Sequence, residues 1–345
     1  MMGKTEHLSH LWNAYQGYKK GTEVCQYSPL RIWLEPTNYC NLRCPFCPQS
    51  SPRPVERGYM DYELYRKIIC EAKGSVYDIN LCHRGESLFH KRIIDMIVLA
   101  REAELKTRLH TNATIMDEEM SRELLRSGLD LISFSFDGFE KETYERLRVN
   151  AHYEKTLNNI LNFLRLKQKL RLKKPYTIFQ TIDSGDEVSP RVQRDFIRQF
   201  DRLPLDRLYI KLPHNWGGNI PEERIAAAKR KSYSPCTFCW YSMTILWDGT
   251  VLPCPQDYFA EIPLGLLMNS SLMEVWNGEA MISLRRSFIT QNYDHISPCK
   301  NCDRLWRKTL LGIPTINLKT FLKENLLGYK LMRRWFKRVY REKEV

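Results

Sequence analysis

The chain has 345 residues, of which 43% are hydrophobic and 12% aromatic, enough for one large domain with an appendage or for two domains. Its formal net charge is +13, and the last 28 residues, from Leu318, hold nine Lys or Arg and three Glu, so they supply +6 of that excess. The remaining charge is spread thinly, which argues against a nucleic-acid partner. No apolar run approaches the roughly 20 residues that a membrane-spanning helix needs, and the N-terminus lacks the features of a secretory signal. We therefore expect a cytoplasmic protein whose clustered cysteines are metal ligands rather than disulfides.

Short β-rich runs alternate with stretches of helical length from residue 31 to about residue 220. The strand candidates are RIWLEP, VYDINLC, KTRLHT, DLISFSFD, YTIFQTI and RLYIKL. In the longest helical stretch, Leu157, Ile160, Leu161 and Leu164 recur at three- and four-residue spacing, which predicts one buried helix face. Strands separated by helices pair in parallel through right-handed crossovers. Six such units predict an α/β fold, a partial (β/α)6 TIM-like barrel with its chemistry at the carboxyl ends of the strands.

Three cysteines, Cys40, Cys44 and Cys47, directly follow the first predicted strand with the spacing C-x3-C-x2-C. Thiolates are the usual ligands of iron–sulfur clusters, and a cubane cluster contains four irons. Three thiolates on one loop would leave one iron open, and an open metal position can bind a small molecule. A zinc loop or a set of reactive thiols is the alternative interpretation of these three residues taken alone.

The loop "CNLRCPFC" resembles the signature of the radical S-adenosylmethionine (radical SAM) enzymes, in which an aromatic residue, here Phe46, lies within the motif. The resemblance implies that the open iron of a 4Fe–4S cluster chelates the amino and carboxylate groups of S-adenosylmethionine. One electron from the cluster would then release a 5′-deoxyadenosyl radical, which abstracts a substrate hydrogen. The resemblance also implies an electron donor such as flavodoxin or ferredoxin.

Other predicted strand ends carry residues that match the same family. After the second strand, "CHRGESLFH" resembles the family's Gly-Gly-Glu motif, with Arg84 in place of the first glycine. Gly85 permits a close backbone approach, and Glu86 can accept a hydrogen bond from the cofactor's ammonium group or simply cap the next helix. After the third strand, Thr111 and Asn112 match a Thr-Asn-Gly motif in which alanine replaces the glycine.

Three further residues complete the predicted cofactor site. Ser135 and Asp137 alternate toward one face at the end of the fourth strand and could reach the cofactor or the substrate, or could be turn residues before a glycine. Arg148 matches an arginine that pairs with the cofactor carboxylate in similar enzymes. The resemblance therefore predicts that the S-adenosylmethionine site spans four strand ends.

A second cysteine group lies beyond the barrel pattern. Cys236 and Cys254 flank "WYSMTILWDGTVLP", a predicted hairpin with Asp-Gly as its turn, and Cys299 and Cys302 follow a helical stretch as C-x2-C. The pattern resembles the SPASM auxiliary-cluster domains of radical SAM enzymes, in the shortened form called twitch, which implies one auxiliary 4Fe–4S cluster. Zinc is the alternative.

Two cysteines outside these ligand sets are candidate catalytic residues. Cys82 ends the second strand and faces the predicted cavity, and Cys239 lies where relatives often carry proline. Either thiol could return a hydrogen atom to a substrate radical, as radical epimerases require. Cys239 could also be an alternative ligand or a bystander.

The predicted domain boundaries follow from these patterns. Residues 1–25 form an N-terminal helical extension, 26–222 the partial barrel, 223–306 the auxiliary-cluster domain and 307–345 a basic tail. The final 28 residues of the tail are predicted to form an amphipathic helix that could contact an anionic membrane surface, dock on a partner or pack on the barrel. The apolar side of this helix would carry Leu322, Leu326, Tyr329, Met332, Phe336 and Val339.

Three functions remain compatible with the sequence. The favoured one is dehydrogenation or epimerisation of a sugar, aminocyclitol or glycan-type substrate by a radical SAM enzyme. The second is modification of a peptide, although the 30 residues before the first strand are too few for the winged-helix domain that such maturases frequently carry. The third is a non-catalytic iron–sulfur or zinc-binding protein, against which the cofactor motifs argue because a pure binder needs no cofactor pocket.

Overall fold

The computed structural model describes residues 4–183, 185–186, 188–220, 233–306, 309–310, 313–315 and 339–341. The strands in these residues, numbered in chain order, are β1 (Arg31–Leu34), β2 (Asp78–Leu81), β3 (Lys106–Thr111), β4 (Leu131–Ser135), β5 (Tyr176–Ile182), β6 (Arg207–Lys211), β7 (Ser242–Ile245), β8 (Thr250–Leu252), β9 (Gly265–Leu266), β10 (Thr309–Leu310), β11 (Ile313–Pro314) and β12 (Val339–Arg341). The helices are α1 (Lys4–Lys20), α2 (Tyr62–Ala72), α3 (Ile93–Glu102), α4 (Glu118–Arg126), α5 (Lys141–Leu147), α6 (Tyr153–Lys169), α7 (Pro190–Arg198), α8 (Phe238–Tyr241), α9 (Leu272–Trp276) and α10 (Glu279–Ile289).

The six predicted barrel strands are confirmed as β1 to β6. They lie side by side in chain order, and every neighbouring pair is parallel. One or two helices lie between successive strands, as the βα alternation predicts, and all four residues of β2 are buried. Parallel strands of this kind are covered on both faces by the intervening helices. The α/β barrel-like fold class is therefore confirmed.

The segment that carries the second cysteine group continues the same sheet. Strand β7 pairs in parallel with β1, and β8 and β9 follow in antiparallel order. The predicted hairpin is confirmed between β7 and β8: Asp248 accepts a hydrogen bond from the Thr250 backbone N–H at 2.9 Å, and Gly249 has φ +88°. The first barrel strand, β1, consequently pairs with β2, which leads into the predicted cofactor motif, on one side and with β7 of the auxiliary segment on the other.

The predicted C-terminal helix is wrong at Val339–Arg341, because these residues form β12, which pairs in parallel with the edge strand β6. Val339 is half-buried and packs against the main core. An edge strand presents unpaired backbone groups, and the helical spacing of apolar residues in the tail gives no information about that distant partner. The remainder of the predicted helix lies outside the described residues. In the part of the chain that is described, no helix is long and apolar enough to cross a membrane.

An aromatic cluster fills the core beneath β4, β5 and α7. Phe179 is fully buried, and its ring centroid lies 5.3 Å from that of Phe136, 5.4 Å from that of Phe196 and 5.1 Å from that of Phe200. Rings at these separations add edge and offset contacts to the gain from burial. The cluster fixes β4 and β5, whose carboxyl ends form part of the predicted cofactor site.

Replacing Phe179 by alanine is expected to lower the free energy of unfolding by about 3–5 kcal/mol, because it removes a large buried side chain and leaves a cavity. Chemical denaturation followed by circular dichroism measures this change. The matched control is Trp12→Ala, since Trp12 is 59% exposed and its loss should change stability by less than about 0.5 kcal/mol. Equal losses in the two variants would contradict this description of the core.

Candidate active site and the two cysteine groups

The loop of Cys40, Cys44 and Cys47 follows β1 at the carboxyl edge of the sheet, where the sequence placed it. The loop is held from several sides. The Arg43 backbone N–H donates to the Val149 carbonyl at 3.1 Å, and the Asn41 side chain donates to the Thr114 hydroxyl at 2.9 Å. The chain after β3 and the chain after α5 therefore both position the cysteine loop.

A buried ion pair lies against the loop. Arg148 forms an ion pair with Asp137 at 2.7 Å, and its Nη1 is 3.9 Å from the Cys44 sulfur. Asp137 also accepts a hydrogen bond from the Ile182 backbone N–H at 2.8 Å, which fixes its carboxylate at the end of β5. Burial disfavours the charge on Arg148, but the carboxylate of Asp137 and then the sulfur of Cys44 outweigh this effect and raise its pKa. The structure thus brings Asp137 and Arg148 together beside a predicted cluster ligand.

The three thiols fit a cluster better than they fit a set of free cysteines. Burial raises the pKa of Cys40 to about 11 and that of Cys47 to about 12, and it also raises the pKa of Cys44. A buried thiolate is costly without a cation, and a bound metal supplies the charge that makes the deprotonated sulfur favourable. The residues present therefore suit an iron–sulfur cluster on this loop.

The motif at the end of β2 needs its glycine. Gly85 has φ +75°, and a Cβ atom there would lie 2.6 Å from the Asn38 carbonyl carbon, inside the cysteine-loop backbone. Glu86 is 2% exposed and accepts hydrogen bonds from the Asn112 backbone N–H at 2.6 Å and the Leu88 N–H at 3.2 Å. Its carboxylate therefore caps the short helix Ser87–Phe89 as well as bridging β2 to β3. A contact between Glu86 and the cofactor stays a prediction.

The residues after β3 surround the cysteine loop. The Asn112 side chain donates to the side-chain amide oxygen of Asn41 at 3.1 Å and lies 3.8 Å from the Cys40 sulfur. The Thr111 hydroxyl accepts from the Ala113 backbone N–H at 2.9 Å. Ala113 is buried with φ +59°, in the left-handed region. That backbone conformation explains why the related motif has glycine here. Alanine keeps the conformation at some cost in strain.

Two other predicted residues lie at the same edge of the sheet. Ser135, the last residue of β4, is half-buried, and Cys82, one residue after β2, is also half-buried. Burial raises the pKa of the Cys82 thiol to about 12, with a further contribution from Glu86. The Cys82 thiol is therefore protonated at neutral pH, which is the form that can donate a hydrogen atom. Its role as a hydrogen donor stays a prediction.

The second cysteine group converges. Cys254, Cys299 and Cys302 are buried and Cys236 is half-buried, and each of these sulfurs lies close enough to at least one other to influence its pKa. Cys239 is a fifth cysteine of this group: it is 1% exposed, and its thiol and that of Cys236 influence each other's pKa. Within the described residues, no three Cys, His, Asp or Glu side chains meet as they would around a single metal ion. The thiolates of a cubane bind different irons and need no such meeting point.

A buried ion pair joins the cofactor motif to the auxiliary segment. Arg84, the residue that replaces the first glycine of the family motif, donates to both carboxylate oxygens of Glu35 at 2.7 and 2.8 Å. Glu35 is fully buried and also accepts from the Trp247 backbone N–H at 3.4 Å, and Arg84 donates to the Tyr258 carbonyl at 3.3 Å. Arg84 therefore connects the segment after β2 to Glu35 and to the auxiliary segment, a role that the sequence motif alone does not indicate.

The segment 214–219, after β6, connects the two cysteine groups. The Trp216 indole N–H donates to the carbonyl of Phe46, next to Cys47, at 3.0 Å. Asn215 donates to the carbonyl of Asn301, next to Cys302, at 2.6 Å. A Cβ on Gly217 would lie 2.5 Å from the Pro298 ring, so this close approach requires glycine. The "GG" pair at 217–218 is a local sequence signal of this close packing.

His83, which follows Cys82 in the segment after β2, is a further buried polar residue of the site. It is 8% exposed, and neither ring nitrogen has a hydrogen-bond partner among the residues that the structure describes. Its ring centroid is 6.3 Å from that of Tyr258. Burial lowers its pKa well below the ordinary value, so the ring is neutral at pH 7. The imidazole can therefore donate one hydrogen bond and accept another within the site.

Two family models match the chain. The radical SAM superfamily matches residues 34–173, which include the three-cysteine loop and the strand ends just described. An iron–sulfur cluster-binding domain, SPASM, matches residues 236–303, which include the second cysteine group. The chain therefore belongs to the radical SAM superfamily and carries a SPASM domain. It binds S-adenosylmethionine at a 4Fe–4S cluster and holds an auxiliary iron–sulfur cluster.

Two relatives match over most of the chain. The tungsten-containing aldehyde ferredoxin oxidoreductase cofactor-modifying protein of Pyrococcus furiosus is 25% identical over 331 residues, covering 79% of this chain and 86% of that protein. The sporulation killing factor maturation protein SkfB of Bacillus subtilis is 24% identical over 290 residues, covering 75% of this chain and 67% of that protein. Both similarities cover three quarters or more of this chain.

Two solved structures show the same fold. Streptococcus suis SuiB bound to its precursor peptide SuiA has a TM-score of 0.64 at 16% identity, covering 91% of this chain and 77% of SuiB. BtrN in complex with AdoMet and 2-DOIA has a TM-score of 0.57 at 18% identity, covering 79% of this chain and 92% of BtrN. At these identities the likeness describes the fold alone.

Iron content should separate the two cysteine groups. Anaerobically reconstituted wild-type chain is expected to hold about eight irons if both groups ligate cubane clusters. Replacing Cys40, Cys44 and Cys47 by alanine should leave about four, and the Cys299→Ala, Cys302→Ala double variant should also leave about four. Colorimetric iron and sulfide assays with zinc by mass spectrometry check this, and exposed Cys70→Ala is the control that should change nothing. Zinc in place of half of the iron would contradict the cluster assignment of the second group.

Loss of the Asp137 charge should weaken cofactor binding. In Asp137→Asn the Arg148 guanidinium loses its buried ionic partner, so we expect the dissociation constant of S-adenosylmethionine to rise about tenfold, which corresponds to about 1.4 kcal/mol. Equilibrium dialysis on the cluster-loaded chain measures it. The control is Asp195→Asn, an exposed pair partner of Arg198 at 3.2 Å. An unchanged dissociation constant with intact iron content would refute a role of this pair in the cofactor site.

Proposed function

We propose that this chain is a radical SAM maturase that modifies a peptide or protein. The observation that supports this most is the similarity to a maturation protein, SkfB, over 75% of this chain. The sugar-type substrate that the sequence favours has no comparable relative among those described above, because the likeness to BtrN describes the fold alone. The peptide alternative is therefore preferred over it.

When bound, the three-cysteine cluster supplies the electron that cleaves the sulfonium of S-adenosylmethionine and so starts hydrogen abstraction from the substrate. The protein's own contribution is to orient the cofactor. Arg148, held by Asp137, can pair with the cofactor carboxylate, and Glu86 and Asn112 offer polar groups beside the same loop. All of these side chains except Arg148 are at least 95% buried, so their polar contacts are shielded from water.

The auxiliary group is proposed to be of the twitch type, with one 4Fe–4S cluster held by Cys236, Cys254, Cys299 and Cys302. A fully ligated cluster has no open iron, so its use is electron transfer. The substrate radical would pass one electron to it and one proton to a base, giving a product two hydrogens lighter than the substrate. The contacts of segment 214–219 with both cysteine groups support this route, because they hold the donor and acceptor sides together.

A redox-neutral outcome is the alternative within the same function. There the substrate radical would take a hydrogen atom from a thiol, Cys82 or Cys239, and the carbon centre would be inverted with no change in mass. The thiyl radical left on the cysteine would then take one electron from the external electron donor and one proton from solvent, which restores the thiol. Cys239 is buried beside the auxiliary ligands, and its thiol and that of Cys236 influence each other's pKa, which favours a role for it inside the auxiliary group. Cys82 is thus the better of the two candidates for hydrogen donation.

The test uses cluster-loaded protein with S-adenosylmethionine and dithionite. Synthetic copies of the short peptides encoded next to this gene are compared with a panel of free sugars and aminocyclitols. We expect one peptide to increase 5′-deoxyadenosine formation and to emerge two hydrogens lighter by mass spectrometry. Deuterium uptake from D2O at unchanged composition would show the epimerase outcome instead.

The control is Cys44→Ala, which should form neither 5′-deoxyadenosine nor product, because it lacks one ligand of the first cluster. Stimulation by a sugar or aminocyclitol, with no stimulation by any peptide, would overturn the proposed substrate class. It would leave the radical SAM assignment intact.

A further inference from the structure

Arg285, on α10, is a fully buried cation behind the auxiliary cysteine group. Its Nε donates to the carbonyl of Cys239 at 2.9 Å, and its Nη1 donates to the carbonyl of Glu23 at 2.7 Å. The guanidinium also lies 4.4 Å above the ring of Trp276. These contacts hold the positive charge in one place, on the peptide segment that carries Cys236 and Cys239.

The charge of Arg285 has no carboxylate partner among the residues that the structure describes, and its Nη2 has no hydrogen-bond partner there either. The neighbouring Arg286 shows the contrast, since it is exposed and pairs with the Glu23 carboxylate at 2.7 Å. Arginine does not lose its proton in proteins. A buried, unpaired cation is strongly unfavourable, so something nearby must balance it.

The acidic side chains that face Arg285 are two thiols and a phenol, those of Cys25, Cys239 and Tyr27. None of them is a carboxylate. Arg285 contacts the auxiliary segment directly, because its Nε donates to the carbonyl of Cys239, three residues after the proposed ligand Cys236, and the auxiliary set becomes negative when the protein is loaded. Four thiolates around a cubane leave a net negative charge, which increases on reduction. The missing counterion of Arg285 is therefore the cluster itself.

We propose that Arg285 is the built-in countercharge of the auxiliary cluster and raises its reduction potential. A fixed positive charge in a dry environment stabilises the more negative, reduced state of the cluster, and salt does not screen it. The cluster thereby becomes a better acceptor for an electron from a substrate radical. The buried carboxylate of Asp257 acts on the absolute potential in the opposite direction, but it does not alter the sign expected when Arg285 is neutralised.

The inference depends on the auxiliary cluster and not on the peptide substrate, so its test needs no substrate. Midpoint potentials of both clusters are measured by redox titration followed by electron paramagnetic resonance in wild type, Arg285→Gln, Arg285→Met, Arg285→Lys and Arg286→Gln. For the two neutral Arg285 variants we expect at least a tenfold fall in the reduced-to-oxidised ratio at fixed potential, a shift of about −59 mV for one electron. Arg285→Lys keeps the charge and should stay near the wild-type potential.

Two controls accompany the titration. Arg286→Gln removes the same charge one residue away at the exposed surface and should leave the auxiliary potential unchanged. The cluster of the three-cysteine loop serves as an internal control in every sample. The auxiliary cluster could also assemble in wild type and Arg285→Lys but in neither neutral variant. That result would support the same conclusion, because the two proteins that hold the cluster share the positive charge.

Two results would overturn the proposal. One is a neutral variant that holds its cluster at the wild-type potential. The other is a lysine variant whose potential falls as far as that of the glutamine variant, since Arg285 would then act through its hydrogen bonds alone.

Discussion

The ion pair between Glu35 and Arg84 is the contact on which the rest of the site depends. Both side chains are at least 96% buried, and the guanidinium contacts both carboxylate oxygens. Glu35 follows β1, and its backbone N–H donates to the Ile245 carbonyl on β7. The ion pair therefore lies where a barrel strand pairs with a strand of the SPASM segment. Removing one partner from such a pair costs about 3–5 kcal/mol, because a charge is left buried and unmatched. Arg84 immediately precedes Gly85 and Glu86, so the same pair fixes the cofactor motif.

This arrangement explains how two cysteine groups that are about 190 residues apart in sequence come to lie at one sheet. Strand β1 carries the first group at its carboxyl end and pairs with β7, which leads into the second. Segment 214–219 adds two hydrogen bonds, one to each group. The strands next to the two cysteine groups therefore belong to one continuous sheet.

Much of the fold was accessible from the sequence, because its signals are local. The alternation of short β-rich runs with stretches of helical length predicted β1 to β6 and the intervening helices, and Asp248-Gly249 predicted the β7–β8 turn. The cysteine spacings predicted both ligand groups. The helix prediction for the tail is wrong at Val339–Arg341, because a helix-like pattern cannot reveal an open sheet edge more than 120 residues earlier in the chain.

The contacts that sequence reasoning missed are nonlocal. Arg84 was noted only as a lost glycine, and nothing near it in sequence indicates a partner at Glu35. Cys239 has no spacing that distinguishes a ligand from a neighbour, and the structure shows that it is buried and that its carbonyl accepts from Arg285. Arg285 is an ordinary basic residue in an amphipathic helix until its burial is known. Each case needed the three-dimensional position of a charge or a thiol.

The most direct test of the central claim is the electron paramagnetic resonance spectrum of the dithionite-reduced, reconstituted protein before and after addition of S-adenosylmethionine. The account predicts two 4Fe–4S signals, of which one shifts on addition because an iron of the Cys40, Cys44 and Cys47 cluster is open. The other signal should not change, and it should be missing from the Cys299→Ala, Cys302→Ala variant. A single signal, or two signals that both ignore the cofactor, would contradict it.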